Sequence, residues 1–143
     1  MSVCIQTADF DVSGELAALR AGNTRIGAVV SFVGTVRDAS GGEAVLGMEL
    51  EHYPGMTEQS LAEIEQEACK RWPLLATRIV HRIGSLLPGE QIVLVVAASE
   101  HRAAAFDACS FMMDCLKSDA PLWKKETLPC GARWVEGKEG EGA

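Results

Sequence analysis

The sequence predicts an α+β fold, a two-layer sandwich rather than a parallel βαβ array. Three observations lead there. Apolar periodicity alternates between strand and helix spacing in the order strands, helix, strands, helix, strand, without the regular alternation that a parallel sheet needs. One run, Gln91 to Ala98, is almost continuously apolar and reads as a buried central strand. The length, 143 residues, fits one domain with its own core. We expect residues 1–136 to form a single domain, and the Gly/Glu-rich residues 137–143 a flexible tail.

In chain order, Val3 to Gln6 suits a short edge strand. Ser13 is placed to cap a short helix running to Arg20, and Gly22 suits its C-terminal stop. Ile26 to Val36 is rich in β-branched and aromatic residues and reads as a long strand. Asp38 to Glu43 holds two glycines and reads as a mobile loop. Val45 to His52 reads as the partner of the long strand, and Tyr53-Pro54-Gly55 as a turn. Thr57 can cap the next helix, where Leu61, Ile64 and Ala68 recur at helical spacing until Trp72; Pro73 ends the pattern. Arg78 to Ile83 is a strand and Leu87-Pro88-Gly89-Glu90 a turn. After the central strand, Ser99 caps a long helix. Its apolar stripe is Ala105, Cys109, Met112 and Leu116, widened by Phe106 and Met113. Asp119-Ala120-Pro121 breaks that helix. Leu122 to Glu126 is extended, and Ala132 to Val135 is a final short strand.

Composition removes several function classes. A formal net charge of −7 argues against non-specific nucleic-acid binding, which needs a basic footprint. The five cysteines, at 4, 69, 109, 115 and 130, form no C-x-x-C and are odd in number, so neither a zinc ribbon nor a disulfide framework is expected. Reduced thiols in a cytoplasmic protein are the expectation. The first ten residues lack the basic region of a signal peptide, and Ile92 to Ala98 is too short to span a bilayer. No phosphate-loop, dinucleotide-binding, nucleophile-elbow or H-E-x-x-H motif occurs. No resident metal is expected.

Positive charge gathers around the second long helix. His101 and Arg102 stand at its start, where free backbone N–H groups favour an anion such as a phosphate monoester. A solvated basic pair beside an ordinary helix start is the plainer alternative. Lys117 stands near the C-terminal end, where a lysine also complements the helix dipole. Lys124 follows Trp123 after Pro121. If Lys117 and Lys124 share a cleft, like-charge repulsion lowers both pKa values and fits either lysine for proton transfer or nucleophilic attack. Arg37 closes the long strand and could fork onto a phosphate or carboxylate, or simply face water. His52 and His81 have no partners at metal-ligand spacing.

Several segments then fall in a specific order: Phe32-Val33-Gly34-Thr35-Val36-Arg37, Leu50 to Met56, His81-Arg82-Ile83-Gly84, Ser99-Glu100-His101-Arg102, Leu116 to Glu126, and Arg133-Trp134-Val135. Each is weak alone. Together, and above all in the K-x-x-A-P-x-W-K stretch from Lys117 to Lys124, the chain resembles the large, catalytic subunit of molybdopterin synthase from about Ile26 to Glu136.

The resemblance implies an α/β-hammerhead-type fold and a sulfurtransferase of molybdenum cofactor biosynthesis. It implies a homodimer in which each subunit binds a small ubiquitin-like sulfur carrier ending in Gly-Gly, giving a heterotetramer. The carrier's C-terminal thiocarboxylate supplies sulfur to cyclic pyranopterin monophosphate, forming the dithiolene of molybdopterin, with no permanently bound cofactor. Residue by residue, it implies catalytic roles for Lys117 and Lys124. It implies substrate contacts for Thr35, Val36, Arg37, His101, Arg102, Lys125 and Glu126, and for the two lysines. A non-catalytic anion-binding or regulatory domain of the same fold is the main rival reading. A small-molecule phosphotransferase is a second, disfavoured by the lack of a phosphate loop or carboxylate metal site.

Overall fold

The structure is a computed structural model and describes residues 3–135. Residue 136 and the expected tail, 137–143, lie outside the described residues. The elements in order are β1 (Val3–Gln6), α1 (Val12–Arg20), β2 (Ala28–Thr35), β3 (Ala39–Ser40), β4 (Glu43–Ala44), β5 (Gly47–His52), α2 (Met56–Arg71), β6 (Leu74–Arg82), β7 (Gly84–Leu86), β8 (Gln91–Ser99), α3 (Arg102–Asp119), β9 (Leu122–Leu128) and β10 (Gly131–Val135). The mixed α+β class is the one expected. No described helix is long and apolar enough to cross a membrane.

Two four-stranded sheets carry the fold. The first runs β1-β6-β8-β2, with β1 parallel to β6 and the other pairs antiparallel. Every residue of β8 after Gln91 is buried, as its apolar run requires of a strand covered on both faces. Period-two alternation sends Val93, Val95 and Ala97 toward Leu61 and Ile64 of α2 and Ala108, Met112 and Leu116 of α3. Leu94 and Val96 face the other way, toward Phe10 and the α1 residues Leu16 and Leu19. The second sheet runs β10-β9-β5-β7, all antiparallel, and contributes Leu50, Leu86 and Leu122 to the α2/α3 side of the core.

Several expectations are corrected. Segment 45–52 does not pair with the long strand; β5 pairs with β9 and β7 in the other sheet. Alternation fixes which face of a strand is buried but not its neighbour. The expected loop 38–43 is part of a tight ribbon, β3–β4. Gly41 (φ 60°) and Gly42 (φ 82°) fill a two-residue turn that needs positive φ at both positions. Strand β6 begins at Leu74, four residues before the expected start, and β7 was not anticipated.

None of Ser13, Thr57 and Ser99 is an N-cap; Asp11, Gly55 and His101 hold those positions. Ser13 lies inside α1. The Thr57 hydroxyl accepts from the Tyr53 N–H (2.9 Å) and donates to the Pro121 carbonyl (2.8 Å), pinning the start of α2 to the approach of β9. The Ser99 hydroxyl donates to the Pro73 carbonyl (3.2 Å). Phe106 is 59% exposed and does not widen the stripe of α3; Ala108 and Met113 do.

One buried cation staples the first sheet. Arg82 is 7% exposed and donates to the Thr7 carbonyl (3.0 and 3.2 Å), the Gln91 carbonyl (3.0 Å) and Glu90 Oε1 (3.2 Å). Truncating it leaves those acceptors without their donor. Arg82→Ala is expected to lower stability by about 3 kcal/mol, the usual cost of breaking a buried, hydrogen-bonded charge. Urea unfolding measures it, and a loss below about 1 kcal/mol would contradict this role.

Candidate functional site

The start of α3 is built to stay electropositive. His101, its N-cap, has extended backbone, and no side chain caps the helix. The first turn carries no acidic residue, so the free N–H groups and the dipole are not offset there. Just upstream, Gly27 donates to the Ser99 carbonyl (3.0 Å), and a Cβ at position 27 would collide with the Glu100 carbonyl oxygen. This close approach fixes the chain's path into the helix. His101 and Arg102 are both exposed there.

Lys117 occupies the last turn of the same helix, exposed. Fifteen residues separate it from Arg102, about 22 Å along the axis at 1.5 Å per residue. Helix α3 runs back along β8: Cys109 Sγ donates to the Val95 carbonyl (3.6 Å). The C-terminal end of α3 therefore lies toward the start of β8, and Gln91 there pairs with Thr35 at the end of β2. A groove of about 310 Å³ runs between β2 and α3, lined by Phe32, Cys109, Ser110, Met113, Asp114 and Lys117.

Arg37 stands at that same end, exposed, between two anchored neighbours. Val36 donates to the Glu90 carbonyl (2.9 Å) and accepts from Gly89 N–H (2.8 Å), while the Asp38 carbonyl accepts from Val45 N–H (2.9 Å). Thr35 is exposed beside it. Val36 is a core residue whose N–H and C=O are both already engaged within the chain.

Lys124 is half-buried on β9, opposite Leu50. Its charge reaches His81, which pairs with Val93 near the start of β8 and so belongs to the same end. Lys125 points to the other face, its Nζ 5.5 Å from the centroid of the Trp134 ring. Glu126 is 4% exposed and accepts from Arg133 Nε (3.1 Å).

The structure thus groups Thr35, Arg37, Lys117 and Lys124 at one end of the molecule and leaves His101 and Arg102 at the opposite end of α3. Along α3 the two ends stand about 22 Å apart within one chain. The groove residues Phe32, Ser110, Met113 and Asp114 were not among the expected site residues. In the sequence Phe32 looks like any strand aromatic, and Met113 like part of a core stripe.

Two buried groups bear on the chemistry. The Cys109 thiol is pushed up to about 11 by burial, which keeps it protonated and a poor nucleophile at neutral pH. His81 is lowered to about 4, chiefly by burial and further by the charge of Lys124; its Nδ1–H donates to the Arg82 carbonyl (2.8 Å), which opposes the shift. Above pH 6.5 the imidazole is neutral in both folded and unfolded chains. Between 6.5 and about 4 only the unfolded chain takes up the proton, so stability falls as pH falls, by up to roughly 3 kcal/mol. His81→Asn removes that dependence. Urea midpoints of the two proteins are expected to converge from pH 7 toward pH 4, and a constant gap across that range would contradict it.

Among the described residues, no group of three or more His, Cys, Asp or Glu side chains is placed to hold a metal ion. A family model described as MoaE protein matches residues 5–119, most of the chain.

The chain belongs to the MoaE protein family.

The matched span holds Arg37, His101, Arg102 and Lys117. A Pseudomonas aeruginosa relative named molybdopterin synthase catalytic subunit is 60% identical over 138 residues, 96% of this chain and 92% of that protein; a span so long includes Lys124. The solved molybdopterin biosynthesis MoaE protein from Burkholderia ambifaria superposes with a TM-score of 0.83 at 53% identity, covering 99% of this chain and 93% of that one. Molybdopterin synthase from Staphylococcus aureus gives 0.85 at 33% identity, covering 94% and 96%. In this chain that fold carries Lys117 on α3, Lys124 on β9 and Arg37 in the link between β2 and β3.

Proposed function

We propose that this chain is the catalytic subunit of a molybdopterin synthase. It transfers sulfur from the C-terminal thiocarboxylate of a small ubiquitin-like carrier, ending in Gly-Gly, to cyclic pyranopterin monophosphate. The observation that carries this reading is the groove between β2 and α3, with apolar walls at Phe32 and Met113 and Lys117 on its rim, at the end of the fold toward which Lys124 also lies. An extended diglycine tail has no side chains to accommodate, so a narrow groove suffices. A cation at its end pairs with the thiocarboxylate.

The separation along α3 shapes the rest. A site that uses Arg102 together with Lys117 needs two copies of the chain, each giving one end. The homodimer, with one carrier on each subunit in a heterotetramer, supplies that arrangement. Arg37, Arg102 and the uncapped helix start then hold the phosphate. Lys117 neutralises charge as sulfur adds to the pterin side chain, and Lys124 moves protons during addition and elimination. Thr35 and His101 flank the phosphate; Lys125 and Glu126 border the site from β9.

Sulfur arrives on the carrier, which agrees with a Cys109 thiol held in its protonated form; no resident cofactor takes part. Residues 1–136 act as one cytoplasmic catalytic domain. The test is reconstitution: purified chain, thiocarboxylated carrier and cyclic pyranopterin monophosphate are mixed, and dithiolene formation is measured. Product that needs all three supports the reading. A mixture that forms none, with carrier and substrate verified intact, overturns it.

A further inference from the structure

The ribbon β3–β4 is too small to hold itself. It has two residue pairs, Ala39 with Ala44 and Ser40 with Glu43, and a glycine turn. An isolated two-stranded ribbon is marginal in water even when longer. Its base is tied by the bond from Val45 to Asp38, and by one from Leu46 N–H to the Thr127 carbonyl (2.8 Å). Among the described residues, its tip is tied by the side chain of Arg133 of β10. The guanidinium donates through Nη2 to the Ser40 carbonyl (3.1 Å), through Nη1 to Glu43 Oε1 (3.3 Å) and through Nε to Glu126 Oε1 (3.1 Å). Glu126 is buried and lies directly opposite Arg133 in register, so the anchor end of this fork is fixed by the sheet.

Arg37 immediately precedes the base of that ribbon. Its main chain runs from Val36, held by Gly89 and Glu90, to Asp38, held by Val45. A ribbon free to swing would carry Asp38 with it and move the origin of the Arg37 side chain. We infer that Arg133 is a positioning residue for substrate binding: its three-way fork locks the β3–β4 ribbon onto the second sheet and thereby sets where Arg37 presents its charge to the anionic substrate. This rests on the proposed function for the identity of that substrate. It also separates two roles on β9 and β10. Lys124 acts in the chemistry, whereas the Glu126–Arg133 pair beside it acts through a segment distant in sequence. The rigid planar fork is what the role needs, because a lysine supplies charge without three directed donors.

The test uses Arg133→Lys and Arg133→Ala in the full chain with its carrier. Lysine keeps a cation beside buried Glu126 and so preserves the sheet, but cannot reach Ser40 and Glu43 as well. Arg133→Lys is expected to raise KM for cyclic pyranopterin monophosphate about tenfold with kcat within about twofold. It is also expected to speed amide hydrogen exchange across residues 39–45 at least about fivefold, with β6 and β8 unchanged. Arg133→Ala is expected to do the same and to lose stability. The exchange measurement needs no turnover, so it stands even if wild-type protein proves inactive and the functional reading falls. Unchanged exchange in Arg133→Lys overturns the lock. Faster exchange with wild-type KM overturns the positioning role.

Discussion

Replacing Lys117 or Lys124 by alanine is expected to lower turnover of sulfur transfer by about 100- to 1,000-fold, the range seen when one preorganised charge-stabilising group is removed. Lys117 is exposed at the end of α3, so its removal leaves the core untouched. Lys124 is half-buried, and its loss relieves His81 of a neighbouring positive charge. The two substitutions differ in what they should leave behind. Without Lys117 the thiocarboxylate loses its counter-charge, and KM for the carrier rises along with the fall in kcat. Without Lys124 the carrier still docks, and kcat falls alone. Single-turnover measurements with thiocarboxylated carrier check both. If both variants keep more than about a third of wild-type turnover, the catalytic assignment is wrong.

Mixing two inactive variants is expected to restore activity. Arg102 and Lys117 lie about 22 Å apart on one straight helix, too far to touch one small ligand from the same chain. If each site takes Arg102 from one subunit and Lys117 from the other, Arg102→Ala and Lys117→Ala homodimers are both impaired at every site. In a mixed dimer one site carries both lesions and the other carries none. Random exchange of equal amounts places half the chains in mixed dimers, so about a quarter of wild-type activity should return. Assays before and after subunit exchange measure it. No recovery, with mixed dimers shown to have formed, would place both residues in one subunit's site or remove Arg102 from the site altogether.

Much of this protein was legible in its residues because the relevant signals are local. The apolar run of β8 requires burial on both faces, Pro73 and Pro121 end their helices, and the spacing of Leu61, Ile64 and Ala68 places one face of α2 on the core. The basic residues proposed for the site could be listed as candidates because each sits in a short segment that carries the family resemblance. What the sequence could not carry was anything that depends on which segments meet. Segment 47–52 joins β9 rather than β2, because alternation specifies a face and leaves the partner open. The three hydroxyls at Ser13, Thr57 and Ser99 each fit a cap by position. Thr57 and Ser99 instead bond to carbonyls supplied by distant segments, whereas Ser13 simply falls inside its helix. Nothing local to Glu126 foretells its burial beside Arg133 on the neighbouring strand. So the residues determined by themselves the class of fold, the buried strand and the list of cations. The tertiary structure alone decided how those cations divide: Lys117, Lys124 and Arg37 at one end, His101 and Arg102 at the other. The physical reason is the length of α3, a rigid rod whose two ends cannot bend round to the same small ligand.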